Sequence, residues 1–174
     1  MTQYSKRMVL VHWLTLALLV AAWFLGEELA EATDESEATL AAYFMHAAAG
    51  ASILLLTVTR LLFRSKDGVP PAVGQTLMDK VAKGIHHFLY TVLFVLPVSG
   101  VVTIVTSDAG KALLAGDANL LPKEDGYEHV FAHEAHEVLV TVLIVLVVVH
   151  ILGAIKHQFI MKDGLMERMM LRRK

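Results

Sequence analysis

Four long apolar stretches dominate the sequence, at residues 8–26, 40–63, 85–106 and 131–155. Each has about 19–25 residues, the length that an α-helix needs to cross the hydrocarbon core of a bilayer. Lipid offers no partners to backbone N–H and C=O groups, so segments of this kind are helical. The chain is also 56% hydrophobic and only 18% charged, which is typical of membrane proteins. The sequence predicts an all-α fold, an integral membrane four-helix bundle that forms a single domain over residues 1–174.

Positive charge is distributed unevenly between the connections. Of the fifteen Lys and Arg residues, all but Lys111 and Lys123 fall in the N-terminal segment, the connection between the second and third stretches, or the C-terminal tail. Positively charged connections stay in the cytoplasm, so we expect both termini there and a multi-pass protein of the bacterial inner (cytoplasmic) membrane. The two outer connections are acidic. We expect membrane lipid around the helices and no nucleic-acid partner.

The fourth stretch begins and ends with histidine. His136 and His150 enclose thirteen residues, of which only Glu137 and Thr141 are polar. Fourteen residues make four helical turns less about 40°, so the two imidazoles share a helix face, about 21 Å apart along the axis. Ionisable residues at membrane depth are costly and usually functional. This helix therefore predicts two ligand sites, one near each membrane surface.

Two other stretches each offer a histidine at a matching depth. His12 lies about one turn into the first helix from the cytoplasmic end, near the depth of His150, and His46 lies about two turns into the second helix from the outer end, near the depth of His136. Paired imidazoles in a bundle core are how proteins hold b-type haem. The chain has no cysteine, which excludes covalent c-type attachment and thiolate metal sites. We expect two non-covalent haems b, with His12 and His150 on one iron and His46 and His136 on the other.

Other uses of the histidines predict different sites. A di-iron bundle needs several inward carboxylates, which the apolar stretches essentially lack. His129, His133 and His136 with Glu134 offer a zinc alternative, but HEAHE is not the H-E-x-x-H pattern. We expect His129 and His133 to be solvated residues at the start of the fourth helix.

Several segments together carry a family resemblance: YSKRMVLVHWLTLALLVAA, FMHAAAGASILLLTVTRLLFR, HHFLYTVLFVLPVSG, AHE with the step to His150, and HQFIMKDG. Over nearly the whole chain they resemble the bacterial cytochrome b561 family. The resemblance implies four helices and two b haems, with His12 and His150 at the inner haem and His46 and His136 at the outer one. His86 and His157 match positions of the family, whereas His87, His129 and His133 do not.

The resemblance also implies a function. Members carry electrons across the membrane between a periplasmic one-electron donor and the quinone pool, with ubiquinone as partner and superoxide as one proposed donor (superoxide:ubiquinone oxidoreductase). The acidic outer connections would repel the superoxide anion and better suit a basic redox protein. Quinone reduction at the inner surface needs protons, which His157, His86, Arg7 and Lys6 could supply or orient. The plainer interpretation of these four residues is an interfacial belt that anchors the helix ends.

Three possible functions remain open from the sequence. The chain could be the haem b membrane-anchor subunit of a larger dehydrogenase or hydrogenase complex, with no substrate site of its own. Its short connections favour a self-contained, quinone-linked oxidoreductase of the superoxide oxidase type instead. A proton-coupled transporter with histidine relays is the third possibility, and such a protein would be colourless.

Overall fold

The computed structural model describes residues 3–32, 36–71, 76–122 and 130–171. Within these ranges, four helices are long and apolar enough to cross a membrane: α1 (Lys6–Glu31), α2 (Glu37–Asp67), α3 (Leu77–Thr106) and α5 (Phe131–Ile155). Helix α5 continues as a π-helical segment over Lys156–Met161. A short helix α4 (Ala109–Ala115) and two 3₁₀ segments, Ala118–Leu120 and Leu165–Met169, lie outside the bundle. The predicted all-α membrane bundle is confirmed.

The first three membrane helices begin earlier than their apolar stretches. Each starts at a hydroxyl N-cap: Ser5 for α1, Ser36 for α2 and Thr76 for α3. Such caps satisfy backbone N–H groups that would otherwise lack a partner, and they allow a polar first turn that carries no apolar signal. The predicted starts at residues 8, 40 and 85 therefore lie inside the helices. The predicted end of α3 at residue 106 and the bounds 131–155 of α5 are matched.

The helices pack mainly as two pairs, α1 with α2 and α3 with α5, which are joined by contacts between α2 and α3. Val92, Leu96 and Leu143 form a buried cluster between α3 and α5. Large apolar side chains such as Phe44 and Leu55 are exposed on the outside of the helices. An apolar exterior of this kind suits lipid and would be unusual in water.

Both ends of the described chain meet at one end of the bundle, which we call the inner end. The Tyr4 N–H donates to the Arg168 carbonyl at 3.2 Å, and Trp13 Nε1–H donates to the Met169 carbonyl at 3.1 Å. The Arg168 guanidinium reaches the Pro71 carbonyl at 2.7 Å. The C-terminal segment thus fastens the start of α1 to the connection between α2 and α3.

A small cap covers the opposite, outer end. Leu40 of α2 forms a buried cluster with Ala112 of α4 and with Ala118 and Leu121. Helix α4 is followed by the capping residue Gly116, whose φ of 65° lies in the left-handed region that glycine adopts without strain. The cap therefore rests on the outer end of α2, close to the level at which His46 enters the bundle.

Candidate cofactor sites

The structure brings the four predicted ligands together as two pairs. The ring centres of His12 and His150 are 6.3 Å apart, and those of His46 and His136 are 6.1 Å apart. Two imidazoles bound to opposite sides of one metal ion, with metal–nitrogen bonds of about 2 Å, have ring centres about 6 Å apart. Both pairs therefore have the spacing that a shared iron requires. Ligation itself stays a prediction.

The outer pair is oriented by backbone carbonyls of neighbouring helices. His46 Nδ1 donates to the Ala22 carbonyl of α1 at 2.9 Å, and His136 Nδ1 donates to the Leu96 carbonyl of α3 at 3.1 Å. A nitrogen that donates in this way carries the ring's proton, which leaves Nε2 with its lone pair. Metal-binding histidines typically have this arrangement. Both outer imidazoles therefore present a free Nε2.

Two glycines lie against the outer rings. A Cβ at Gly26 of α1 would be 3.2 Å from Cε1 of His46, and a Cβ at Gly100 of α3 would be 3.1 Å from Cε1 of His136. Both distances are shorter than ordinary van der Waals contact. Glycine permits this approach because it has no side chain. Each outer ring thus packs directly on the backbone of a neighbouring helix.

A step of fourteen residues recurs on every membrane helix. The pairs are His12 and Gly26 on α1, His46 and Arg60 on α2, His86 and Gly100 on α3, and His136 and His150 on α5. Fourteen residues return a helix to nearly the same face, so each helix contributes one residue to each of two levels. The outer level holds two histidines and two glycines, whereas the inner level holds three histidines and one arginine.

His86 is the third imidazole of the inner level. Its ring centre lies 5.2 Å from that of His150, and its Nδ1 donates to the Ala82 carbonyl of its own helix at 2.7 Å. The sequence predicted His86 only as a residue near the quinone. Its contact with His150 makes it a direct neighbour of the inner pair.

Arg60 is the functional candidate that the sequence did not reveal. The charge count grouped it with the cytoplasmic connection, but it lies inside α2, and its Nη1 is 2.6 Å from Nδ1 of His12. Its guanidinium carbon is 5.7 Å from the centre of the Tyr90 ring. The same fourteen-residue step that linked His136 and His150 also links His46 to Arg60, and it could have identified this residue.

The remaining quinone candidates have different neighbours. The Arg7 guanidinium pairs with both carboxylate oxygens of Asp67, with Nε 2.8 Å from Oδ2, and stacks on the Phe63 ring at 4.4 Å. Lys6 is exposed at the start of α1.

His157 Nδ1 donates to Oδ2 of Asp163 at 2.5 Å, and only 21% and 16% of these side chains are exposed. The hydrogen bond from His157 lowers the pKa of the Asp163 carboxyl from its ordinary value. His157 is therefore paired with a carboxylate at the inner end of α5.

Two further described histidines have partners outside both pairs. His87 Nδ1 donates to the Lys83 carbonyl at 2.7 Å, and His133 Nε2 is 3.4 Å from Glu137 Oε1. His129 lies outside the described residues. In the part of the chain that the structure describes, no three His, Asp or Glu side chains gather to hold a metal ion.

This fold and these pairs define a class: helical membrane proteins with two pairs of histidines stacked within one bundle. Comparison with known proteins gives the family. Residues 3–171 match the family described as prokaryotic cytochrome b561, and the chain belongs to that family. Membership implies b-type haem and electron transfer across the membrane.

Curated relatives match almost end to end. The chain is 30% identical to cytochrome b562 of Cereibacter sphaeroides, with 96% of this chain and 94% of the relative covered. It is 27% identical to cytochrome b561 homolog 1 of Escherichia coli, with 100% of both chains covered. It is 25% identical to the probable superoxide oxidase CybB of Yersinia pestis, with 97% of this chain and 96% of the relative covered.

Proposed function

We propose that this protein carries electrons through two b-type haems, from a periplasmic one-electron donor to the quinone pool of the bacterial inner membrane. The observation that carries the proposal is the presence of two imidazole pairs, with ring centres 6.3 and 6.1 Å apart. The fourteen-residue step on α5 separates the two levels by about 21 Å. When bound, haem would supply one-electron chemistry, and its coordination by two imidazoles would favour electron transfer over oxygen binding.

The chain's own residues set the geometry of the sites. His12 and His150 would hold the inner haem, and His46 and His136 the outer one. The carbonyls of Ala22 and Leu96 fix the outer imidazoles through their Nδ1 protons, which orients the ligands and makes them more basic. The inner pair has Arg60 and His86 beside it instead.

An apolar cluster lies between the two levels on α3 and α5. On α3, the buried Val92 and Leu96 lie between His86 and Gly100, and on α5 the buried Leu143 lies midway between His136 and His150. This cluster keeps water out of the path, and a low dielectric strengthens the electrostatic influence of nearby groups on each site.

The inner end is where we place the quinone. Each ubiquinone reduced to quinol takes up two electrons and two protons. We assign the supply or orientation of these protons to His157, hydrogen-bonded to Asp163 at 2.5 Å, and to His86 beside the inner pair. Arg7 is held by Asp67, so we assign it to fastening α1 to α2, with Lys6 at the adjoining surface.

The nature of the donor depends on the outer surface. One relative is a probable superoxide oxidase, which supports superoxide:ubiquinone oxidoreductase activity as the finer proposal. The charge of the described outer surface favours a basic redox protein, because Lys111 is paired with Asp108 at 2.6 Å while Glu27 and Glu28 are exposed near the outer end of α1. Lys123 lies outside the described residues.

The experiment that tests the proposal is a haem count on the purified protein, followed by electron transfer. A pyridine haemochrome assay should give two haems b per chain. A small one-electron reductant alone should reduce both, and a ubiquinone analogue should reoxidise them. A count of one or none, after expression with ample haem, would refute the two-site proposal. Two haems that no quinone reoxidises would favour the anchor-subunit alternative.

A further inference from the structure

The guanidinium of Arg60 lies within the membrane bundle and has no anionic partner among the residues that the structure describes. Its Nη1 contacts Nδ1 of His12 at 2.6 Å, and its Nε is buried without a hydrogen-bond acceptor. Within the described ranges, the ion pairs formed by carboxylates involve Arg7, Lys111, His133 and His157, and none of them involves Arg60. A charge held away from water is costly unless an opposite charge and hydrogen bonds compensate it.

The present partner of Arg60 is incompatible with iron on Nε2 of His12. A guanidinium only donates hydrogen bonds, so Nδ1 of His12 accepts, and the ring's proton sits on Nε2. If Nε2 binds iron, the proton moves to Nδ1, and two donors then face each other at the 2.6 Å contact. Arg60 must then turn to another acceptor. Binding of the cofactor therefore frees Nη1 in addition to the unpartnered Nε.

We propose that Arg60 binds a carboxylate side chain of the inner haem and that its fixed charge makes this haem the easier of the two to reduce. This inference rests on the proposed function. The Nε and Nη hydrogens of arginine form a planar fork that matches a carboxylate. The hydroxyl of Thr57, three residues before Arg60 on α2, is a second buried polar group with no hydrogen-bond partner among the described residues.

The position of Arg60 along α2 lets its positive charge favour reduction of the inner haem over the outer one. On α2, the fourteen-residue step places Arg60, a permanent cation, at the inner level and His46, which can be neutral, at the outer level. Reduction adds one negative charge to a site, and a nearby cation stabilises that charge. The step from outer to inner site oxidises one haem and reduces the other by one electron, and no bond is made or broken. Arg60 thus favours flow toward the quinone.

The test compares three variants of the full-length protein loaded with haem b. Arg60→Gln removes the charge and the fork, Arg60→Lys keeps the charge alone, and Arg64→Gln removes a charge one turn further along the same helix as a matched control. Redox titration should show the inner haem at least tenfold harder to reduce in Arg60→Gln, a shift of about 59 mV for a one-electron couple. Arg60→Lys should keep an inner-haem reduction potential close to that of wild type. Arg64→Gln should change the equilibrium constant for reduction of the inner haem less than threefold.

Each remaining outcome has a defined meaning. Selective loss of the inner haem in Arg60→Gln, with the outer haem retained, also supports the inference, because the anchor is gone. Two haems with unchanged potentials in Arg60→Gln overturn it and leave the proposed function intact. If Arg60→Gln does not fold, Arg60→Lys is the deciding variant. A wild-type Soret band and wild-type retention of the inner haem during gel filtration would show that the arginine fork is not needed, and would overturn the inference. Absence of two haems from the wild type would instead refute the proposed function.

Discussion

Gly100 of α3 lies so close to His136 of α5 that a Cβ there would be 3.1 Å from Cε1 and 3.3 Å from Nδ1 of the ring. The ring cannot retreat freely, because its Nδ1 is bonded to the Leu96 carbonyl. An alanine would therefore push the imidazole by a few tenths of an ångström or weaken that bond. The backbone of α3 is thus part of the outer site.

The first prediction follows from this contact. Gly100→Ala should shift the spectrum and lower the haem affinity of the outer site, even though alanine stabilises a helix interior by about 0.5–1 kcal/mol relative to glycine. Visible spectra during haem titration measure the effect. Gly84→Ala is the control: Gly84 lies on the same helix as Gly100, and a Cβ there would meet nothing within 4 Å. If both variants behave alike, the contact at Gly100 does not constrain the ring.

The second prediction concerns the pairing of ligands. His12→Ala and His150→Ala should each deplete the inner haem and give the same half-depleted spectrum, because each iron needs both axial imidazoles. His46→Ala and His136→Ala should give the complementary spectrum. A haemochrome count of about one per chain measures each loss.

Controls for the pairing come from histidines outside both pairs. His87→Ala, His129→Ala and His133→Ala should keep both haems. A common spectrum for His12→Ala and His46→Ala would contradict the pairing. His86→Ala should also keep two haems. If it loses one, the 5.2 Å contact with His150 marks a different ligand pair.

The third prediction separates structural from quinone roles at Arg7. Its guanidinium is engaged by Asp67 and by the Phe63 ring. Arg7→Gln, Asp67→Asn and the double variant should therefore show similar, non-additive losses of thermal stability. All three should reoxidise with a ubiquinone analogue at rates within about twofold of wild type, as expected when a residue makes no transition-state contact. A slow rate in Arg7→Gln alone would place Arg7 at the quinone.

The fourth prediction is a pH dependence. The hydrogen bond from His157 lowers the pKa of Asp163, so this carboxylate stabilises the folded protein at pH values above its unfolded pKa of about 3.9. The contribution is lost as the pH falls through the still lower folded pKa. Asp163→Asn should cost about 1 kcal/mol near neutral pH, the typical net contribution of one intramolecular hydrogen bond.

Thermal unfolding in detergent across a pH series measures this difference. The variant should melt about 2–4 °C below wild type at neutral pH, and the two curves should converge below about pH 4. His157→Gln in both backgrounds completes the cycle, and its effect should shrink when Asp163 is already neutral. A difference that persists unchanged in acid would show that the pair does not act through its charge.

The fifth prediction concerns the donor. A basic redox protein should reduce the outer haem faster at low salt, because exposed charges are screened beyond about 10 Å at about 0.1 M salt. Superoxide should react more slowly at low salt. Asp108→Asn, which frees Lys111 from its ion pair, should speed the reaction with superoxide and slow that with the basic protein. Stopped-flow traces at several salt concentrations measure these rates. A faster reaction with superoxide at low salt would contradict the inference that the outer surface is acidic at the entry point.

Much of the bundle could be predicted because its determinants are local. The length of an apolar run reports a membrane helix directly, and the His136 to His150 spacing reports a shared face. The helix starts could not be placed well, because the capping groups Ser5, Ser36 and Thr76 lie in polar sequence that hydropathy treats as connection.

Contacts between helices were harder to predict from the sequence. That His12 lies near His150 follows from depth alone, but the approach of Gly26 and Gly100 to the outer rings depends on how the helices rotate about their axes. Arg60 was missed for a different reason. A charge near a helix end is usually solvated, whereas the fourteen-residue step from His46 is the sequence signal that Arg60 turns inward toward His12.

The fourteen-residue step on all four helices also fixes which changes of length the protein can tolerate. Deletion of one residue between His46 and Arg60 would rotate the remainder of α2 by about 100° and shift it by about 1.5 Å. The helix could then keep only one of its two residues, His46 or Arg60, in place, and the other level would lose the residue that α2 contributes to it. Residue identities between the levels can therefore drift within the limits of packing, whereas the number of residues between them cannot change by one on any helix without disabling a site about 21 Å from its partner.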